Sequence, residues 1–313
     1  MLRCLVILIV MGCGNVVGNA PRDAGTDDSP APRCDPSSAF GPPIEVTSID
    51  TGTSTDSVYL SPDELTIWFS SIRSGSNNYD VFQASRSSVT SSEFRGIQPV
   101  AGINTPAQDR RPAVTSNGLR MFVSMGGGDR FDIAAAERVS SDAGFGALHP
   151  VPGVSSPDPT MVSNGGAYTV PQPAGSHTTV LYFHSNIASP SRLYRSEDSG
   201  SGFRAADAVA ILELDPQQPV FNPVVTPDEL TLYFTYADDI YVATRATLAQ
   251  SFQHPTALSQ LSSTVSDGPD WISEDDCVLY FTRRDPSIVP LGYRVYHAIR
   301  GRAGASRASA PAR

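Results

Sequence analysis

The sequence predicts an all-β fold: a five-bladed β-propeller of four-stranded blades, its ring closed by an N-terminal strand that completes the last blade. Three observations predict it. One apolar motif recurs five times, a turn-and-strand element recurs between its copies, and the first and last repeats are incomplete in complementary ways.

The apolar motif is an aromatic followed by three apolar or small residues at steps of three. Its copies are Phe40-Pro43-Val46-Ile49, Phe94-Ile97-Val100-Ile103, Phe145-Leu148-Val151-Val154, Phe203-Ala206-Val209-Leu212 and Phe252-Pro255-Leu258-Leu261. Each reads as the outer strand of a blade. The second element is clearest in Ser61-Pro62-Asp63-Glu64-Leu65-Thr66-Ile67-Trp68-Phe69 and Thr226-Pro227-Asp228-Glu229-Leu230-Thr231-Leu232-Tyr233-Phe234. Looser copies begin at Thr115 and Ser273, and a third-repeat copy resumes at Val180 after an apparent insertion over Gly165 to His177. Proline presets φ for the turn, and aspartate can bond its own backbone. The strand that follows alternates, with one large aromatic at the same register in every copy: Trp68, Phe122, Tyr182, Tyr233 and Tyr280. Apolar groups on both faces predict a strand sandwiched between neighbouring sheets, as in a propeller.

A third element follows, Tyr79-Asp80-Val81-Phe82 through Arg86. It is echoed by Phe131-Asp132-Ile133 through Arg138, by Asp239-Ile240-Tyr241-Val242 through Arg245, and by Tyr293 through Arg300; the third repeat keeps only Leu193-Tyr194. Inner strands are expected just before each turn, at Ser57–Leu60, Pro112–Val114, Thr160–Val162, Pro223–Val225 and Pro269–Ile272. The Phe40 copy precedes any inner strand, and the last repeat lacks an outer one. Pairing these ends closes the ring and removes two sheet edges.

Composition agrees. Of 313 residues, 40% are hydrophobic and 17% charged, turn residues are plentiful, and long runs of helical period are absent. The net charge of −10 disfavours nucleic acid as a partner. All 22 basic residues are arginines, which excludes mechanisms that need a lysine.

Residues 1–12 read as an export signal: Arg3, then a short apolar run from Leu5 to Met11 that is too short to span a bilayer. Val10-Met11-Gly12-Cys13 resembles a bacterial lipobox, which implies cleavage before Cys13 and acylation of that cysteine. Residues 13–39 read as a flexible tether, 40–300 as the propeller and 301–313 as a disordered tail. The turn, the strand ending in aromatic-Phe and the Asp-Ile-Tyr-Val strand together resemble PD40 (TolB-like, WD40-like) repeats over residues 40 to 300. The two resemblances imply a lipoprotein of the bacterial cell envelope, at the outer membrane, held to the membrane through its lipid only, and monomeric.

Two constellations remain. Cys34 lies just upstream of the closing strand and Cys277 lies in the blade it closes onto. Either the two pair across the closure, or Cys277 is a buried small hydrophobe, since it occupies the register of Leu65 and Leu230. Asp56, Asp109, Asp158, Asp215 and Asp267 each precede an inner strand, with Asp270 beside the last; a closed ring would gather them near one mouth of the channel. They read as caps between blades, or as a cation (calcium) or sugar site. No Gly-x-Ser-x-Gly elbow, phosphate loop or zinc-spaced histidine pair occurs. The expectation is a non-enzymatic scaffold without a cofactor, binding an envelope protein or a glycan. The alternative is a carbohydrate-binding protein or glycoside-active enzyme using the acidic mouth.

Overall fold

The computed structural model describes residues 32–50, 53–72, 78–127, 130–156, 162–187, 189–288 and 292–302. Cys13 and Asp158 therefore lie outside the described residues. All described elements belong to one compact unit that begins at Arg33.

Twenty strands occur among the described residues, in five four-stranded antiparallel sheets. In chain order, β1 (Ile44–Glu45) stands alone before blade one, which comprises β2 (Thr55–Leu60), β3 (Thr66–Ser71), β4 (Asp80–Ser85) and β5 (Arg95–Pro99). Blade two holds β6 (Gln108–Val114), β7 (Arg120–Gly127), β8 (Arg130–Glu137) and β9 (His149–Pro150). Blade three holds β10 (Asn164–Thr169), β11 (Thr179–Ser185), β12 (Arg192–Asp198) and β13 (Asp207–Ala208). Blade four holds β14 (Val220–Val225), β15 (Thr231–Tyr236), β16 (Asp239–Thr244) and β17 (Gln253–Ala257), and blade five holds β18 (Asp267–Ile272), β19 (Val278–Asp285) and β20 (Gly292–Ile299). The fourth strand of blade five is β1, which pairs antiparallel with β20 through Ile44↔His297 and Glu45↔Tyr296.

The closure is reinforced on three levels. Phe40 bridges Arg300 in the same direction. Cys34 is joined to Cys277 by a disulfide. Arg33 reaches both sides of the seam, donating to Glu64 of blade one at 2.7 and 3.0 Å and to Asp275 of blade five at 2.7 and 2.9 Å. Residues 33–39 thus pack on the ring rather than extending the tether, because the disulfide and these ion pairs fix them.

Outside blade three, where Leu212 of the motif is exposed, the sequence motif is explained by the outer strand and the tight turn after it. Ile103 N–H donates to the Val100 carbonyl, Val154 N–H to Val151 and Leu261 N–H to Leu258. Each turn thereby points its aliphatic side chain into the core, where Ile103, Val154 and Leu261 are buried. The aromatic series Trp68, Phe122, Tyr182, Tyr233 and Tyr280 is likewise buried, between adjacent sheets.

Blade three departs from the expected register. Its inner strand is Asn164–Thr169, within the stretch read as an insertion, and the connection to β11 runs from Val170 to Thr178. Gly165, Gly166 and Ala167 carry no β-branched signal, so the strand is set by its pairing with β11, Tyr168 lying opposite Tyr182. The other inner strands begin earlier than expected, at Thr55, Gln108, Val220 and Asp267.

A recurring clamp secures the turns. In four blades the residue that closes the turn has a left-handed backbone: Glu64 (φ 59°), Gly118 (φ 71°), Glu229 (φ 56°) and Asp276 (φ 57°). The residue before it folds back on its own chain. Asp63 accepts from Leu65 N–H at 3.0 Å, and Asn117 and Asp228 do the same for Leu119 and Leu230. The carbonyl of the left-handed residue accepts from an arginine Nε at the end of the third strand: Arg86 to Glu64 at 2.7 Å, Arg138 to Gly118 at 2.6 Å, Arg245 to Glu229 at 2.8 Å and Arg300 to Asp276 at 2.7 Å. Each guanidinium also lies over the motif phenylalanine, Phe94, Phe145, Phe252 or Phe40, at 4.0–5.0 Å from the ring centroid. A guanidinium–ring contact of this kind is worth about 0.5–2 kcal/mol.

Candidate functional site: the channel and the grooves of the turn face

Each inner strand carries a bulge that aims side chains at the ring axis. The pairing shifts between Asp56 and Tyr59, Arg110 and Ala113, Gly165 and Tyr168, and Phe221 and Val224. The residue inside the bulge has positive φ in four blades: Ser57 (54°), Arg111 (56°), Gly166 (61°) and Asn222 (52°). Blade five has Pro269 there, whose ring forbids positive φ. These residues, with Tyr168 and Asp270, leave a channel cavity of about 20 Å³, room for a single water molecule.

The expected ring of carboxylates is divided among three environments. Asp270 lines the channel, and Asp56 lies close enough to interact with it electrostatically. Asp56 is 1% exposed and pairs with Arg110, whose guanidinium lies 4.1 Å from the centroid of the Tyr79 ring. Asp270 accepts from Thr282 Oγ1 at 2.5 Å. Burial pushes its carboxyl up to about 7, against the opposing pull of the Arg111 guanidinium. Asp109 and Asp267 instead cap the loops between blades. Asp109 accepts from Thr105 N–H at 2.5 Å and Thr105 Oγ1 at 3.2 Å, and burial raises its pKa. Asp267 accepts from Ser263 N–H at 2.9 Å, Ser263 Oγ at 2.7 Å and Arg283 Nε at 2.6 Å. Asn164 holds the corresponding place in blade three and donates to the Val154 carbonyl at 3.1 Å. Asp215 sits on the exposed loop before β14 and accepts from Gln217 N–H at 2.8 Å. The five aspartates among the described residues therefore do not share one mouth. The inner strands begin earlier than expected, so alternation turns Asp109 and Asp267 away from the axis.

Arginines are what the acid-centred reading missed. Arg111 lines the channel with Asp270, and Arg110 pairs with Asp56 nearby. His184 is half-buried near Arg111; desolvation, with Arg111 beside it, lowers its pKa to about 3, so it stays neutral. Two guanidinium groups against two carboxylates do not fit a divalent cation, which needs the anionic oxygens for itself. Among the described residues no three His, Cys, Asp or Glu side chains gather in metal-binding geometry. The consecutive Arg110-Arg111 pair was visible in the sequence, but nothing local marks it as inward-facing.

Open space lies instead on the face formed by the turns between first and second strands. One groove, about 480 Å³, runs between blades one and two and includes Trp68, Gln83, Gln98, Asn117 and Arg138. A second, about 570 Å³, runs between blades two and three and includes Gln172, His177, Thr178 and Glu274. The two meet at Pro62, Thr115, Ser116 and Asn117. Hydroxyl and amide groups dominate both walls, offering donors and acceptors together.

No family model matches the chain, and no curated protein matches it. Among solved structures it is similar to the catalytic domain of a GH62 alpha-L-arabinofuranosidase from Coprinopsis cinerea, at 12% identity over 85% of this chain and 98% of that one, TM-score 0.52. It is similar to a GH62 hydrolase solved with xylotriose, at 9% identity over 83% and 96% of the two chains, TM-score 0.50. TolB from Acinetobacter baumannii shares 11% identity over 82% of this chain and 57% of its own, TM-score 0.47. At such identities the likeness is one of fold: this chain is a five-bladed β-propeller.

Proposed function

We propose that the chain is a non-enzymatic recognition scaffold of the bacterial cell envelope, built from PD40-type repeats, that binds a protein or glycan through the grooves of its turn face. The observation that carries the reading is the state of the channel. With about 20 Å³ free, it has no room for a sugar ring, its carboxylate Asp270 is held by Thr282 beside Arg111, and nearby Asp56 is held by Arg110. A general acid and base flanking a substrate need an open, water-accessible gap between them. A lipid on Cys13 would hold the scaffold to the membrane; the support for this is the Val10-Met11-Gly12-Cys13 motif. Mass spectrometry of membrane-extracted protein should find Cys13 at the N-terminus with acyl mass added, and Cys13 still joined to Gly12 would refute the anchor.

One observation favours a glycoside-active second reading. Asp270, raised to about 7, is a carboxyl that can carry a proton near neutral pH. A panel of chromogenic glycosides separates the two. The scaffold reading expects no turnover, whereas turnover abolished by Asp270→Asn or Asp56→Asn would replace it.

A further inference from the structure

Three junctions between blades follow one plan, the junction of blades two and three replaces it with another ion pair, and the junction of blades one and two has neither at its turns among the described residues. At the junction of blades three and four, Tyr182 donates to Glu229 at 2.6 Å, and Arg195 and Arg245 flank the same carboxylate. At the next, Tyr233 donates to Asp276 at 2.6 Å, with Arg300 at 3.2 Å. Across the closing seam Tyr280 meets Arg86, which pairs with Glu64 at 3.1 Å. Between blades two and three, Arg120 reaches Asp198 at 3.2 Å. In three of these an acid at the left-handed turn position lies against the clamp arginine of its own blade.

Between blades one and two that acid is missing. The left-handed position is Gly118, so Arg138 keeps its bond to the Gly118 carbonyl and has no salt bridge among the described residues. A Cβ built at Gly118 would stand 3.2 Å from Arg138 Nη2, so the guanidinium borders the space that the side chain of an acid would fill. The aromatic of the preceding blade is Trp68 instead of tyrosine; it is 5% exposed, and its indole Nε1 has no hydrogen-bond partner. Grooves of about 520 and 430 Å³ lie at the acid-bearing junctions of blades five and one and of blades three and four; in the 480 Å³ groove here, Arg138 and Trp68 form part of the wall with no internal acid between them.

We propose that the groove between blades one and two binds a carboxylate-bearing saccharide, a uronate, whose carboxylate takes the place on Arg138 that Glu229 and Asp276 take on Arg245 and Arg300. This rests on the reading of the turn face as a recognition surface and adds the ligand class. A guanidinium fork matches a carboxylate with two parallel N–H···O bonds. The rest of the wall suits sugar hydroxyls: Gln83, Ser85, Gln98, Asn117 and Ser141 present neutral donors and acceptors. Two carboxylates border the site. Asp63 is turned onto its own turn, accepting from Ser61 Oγ at 2.5 Å and Leu65 N–H at 3.0 Å, and Asp142 is exposed near Arg138. Neither has a salt bridge to the guanidinium.

The test uses trigalacturonic acid and its methyl ester, which keeps the skeleton and removes the charge. Calorimetry on the whole chain should show the acid binding at least tenfold more tightly than the ester, and Arg138→Gln should erase the difference. In case that variant does not fold, the wild-type protein supplies a second readout. It has two tryptophans, so two indole N–H signals, and the one lost in Trp68→Phe should shift when the acid is added. Equal binding of acid and ester would overturn the uronate site while leaving the groove a recognition surface. Absence of binding to either would also overturn it, and so would displacement of the acid by an aspartate-rich peptide at lower concentration, which would name a protein partner instead.

Discussion

In blade four the turn from Thr226 to Glu229, the clamp arginine Arg245 and the stacked Phe252 all come from one repeat. In blade three the position of that arginine is Asp198, next after the Val180↔Glu197 pair that corresponds to Thr231↔Thr244. Phe203 is covered instead by Arg120 of blade two, 5.2 Å from its centroid, which also pairs with Asp198. Blade three in turn lends Arg195 to Glu229 of blade four. One blade is thus secured from within and the other by its neighbours. A repeat can lose its own motif and keep its place in the ring, because each sheet is buried against two others.

The largest effect expected lies outside both blades. Cys34→Ser with Cys277→Ser opens a loop of 243 residues, and chain-entropy arithmetic puts the loss at about 5 kcal/mol. Thermal melting should drop accordingly; an unchanged melt would mean that strand pairing alone closes the ring.

Next comes Glu229→Gln, which leaves Arg195 and Arg245 facing a neutral amide and should cost about 3 kcal/mol in denaturant unfolding. Arg120→Gln, which strips blade three of its borrowed cover, should cost about 1–2 kcal/mol. A reversed order would mean that the neighbour-supplied contacts carry more than the internal clamp.

pH sharpens the contrast between junction and channel. Burial pushes the Glu229 carboxyl up, but hydrogen bonds from Arg195 and Tyr182 outweigh it and hold its pKa below 4.5. Its stabilisation is therefore present above pH 4.5 and is lost as pH falls through the lower folded value. Asp270 has the opposite sign. Its folded pKa of about 7 lies above the usual 3.8, so the folded state holds the extra proton between these values, and stability falls as pH rises from about 4 to 7. The difference between wild type and Asp270→Asn should therefore move in favour of the variant over that window, by on the order of 1–3 kcal/mol. A flat difference curve would mean that Arg111 keeps Asp270 ionised throughout.

The fold was legible because its signals are local and repeated. The turn aspartates, the buried aromatic at one register and the step-of-three motif each describe one blade's own packing. Blade three was misplaced for the reason its stability is unusual: Gly165 and Gly166 carry no strand signal, and its support comes from other repeats. The site was less legible. The aspartates were visible, but whether each faces the axis or a neighbouring loop depends on where the strand begins. The clamp arginines Arg86, Arg138, Arg245 and Arg300 were visible as strand ends. What distinguishes Arg138 is a glycine twenty residues earlier, and only the structure brings the two together.

The junction of blades one and two lacks the internal carboxylate that three other junctions have, and Gly118→Glu supplies it. The backbone there already matches that of Glu64 and Glu229, and the nearest atom to the new Cβ is the far end of Arg138. A left-handed backbone strains glutamate more than glycine, so the bridge is read as a coupling: Gly118→Glu should melt about 2 °C higher relative to its parent with Arg138 present than in an Arg138→Gln background. A fall of the same size in both backgrounds would contradict the account.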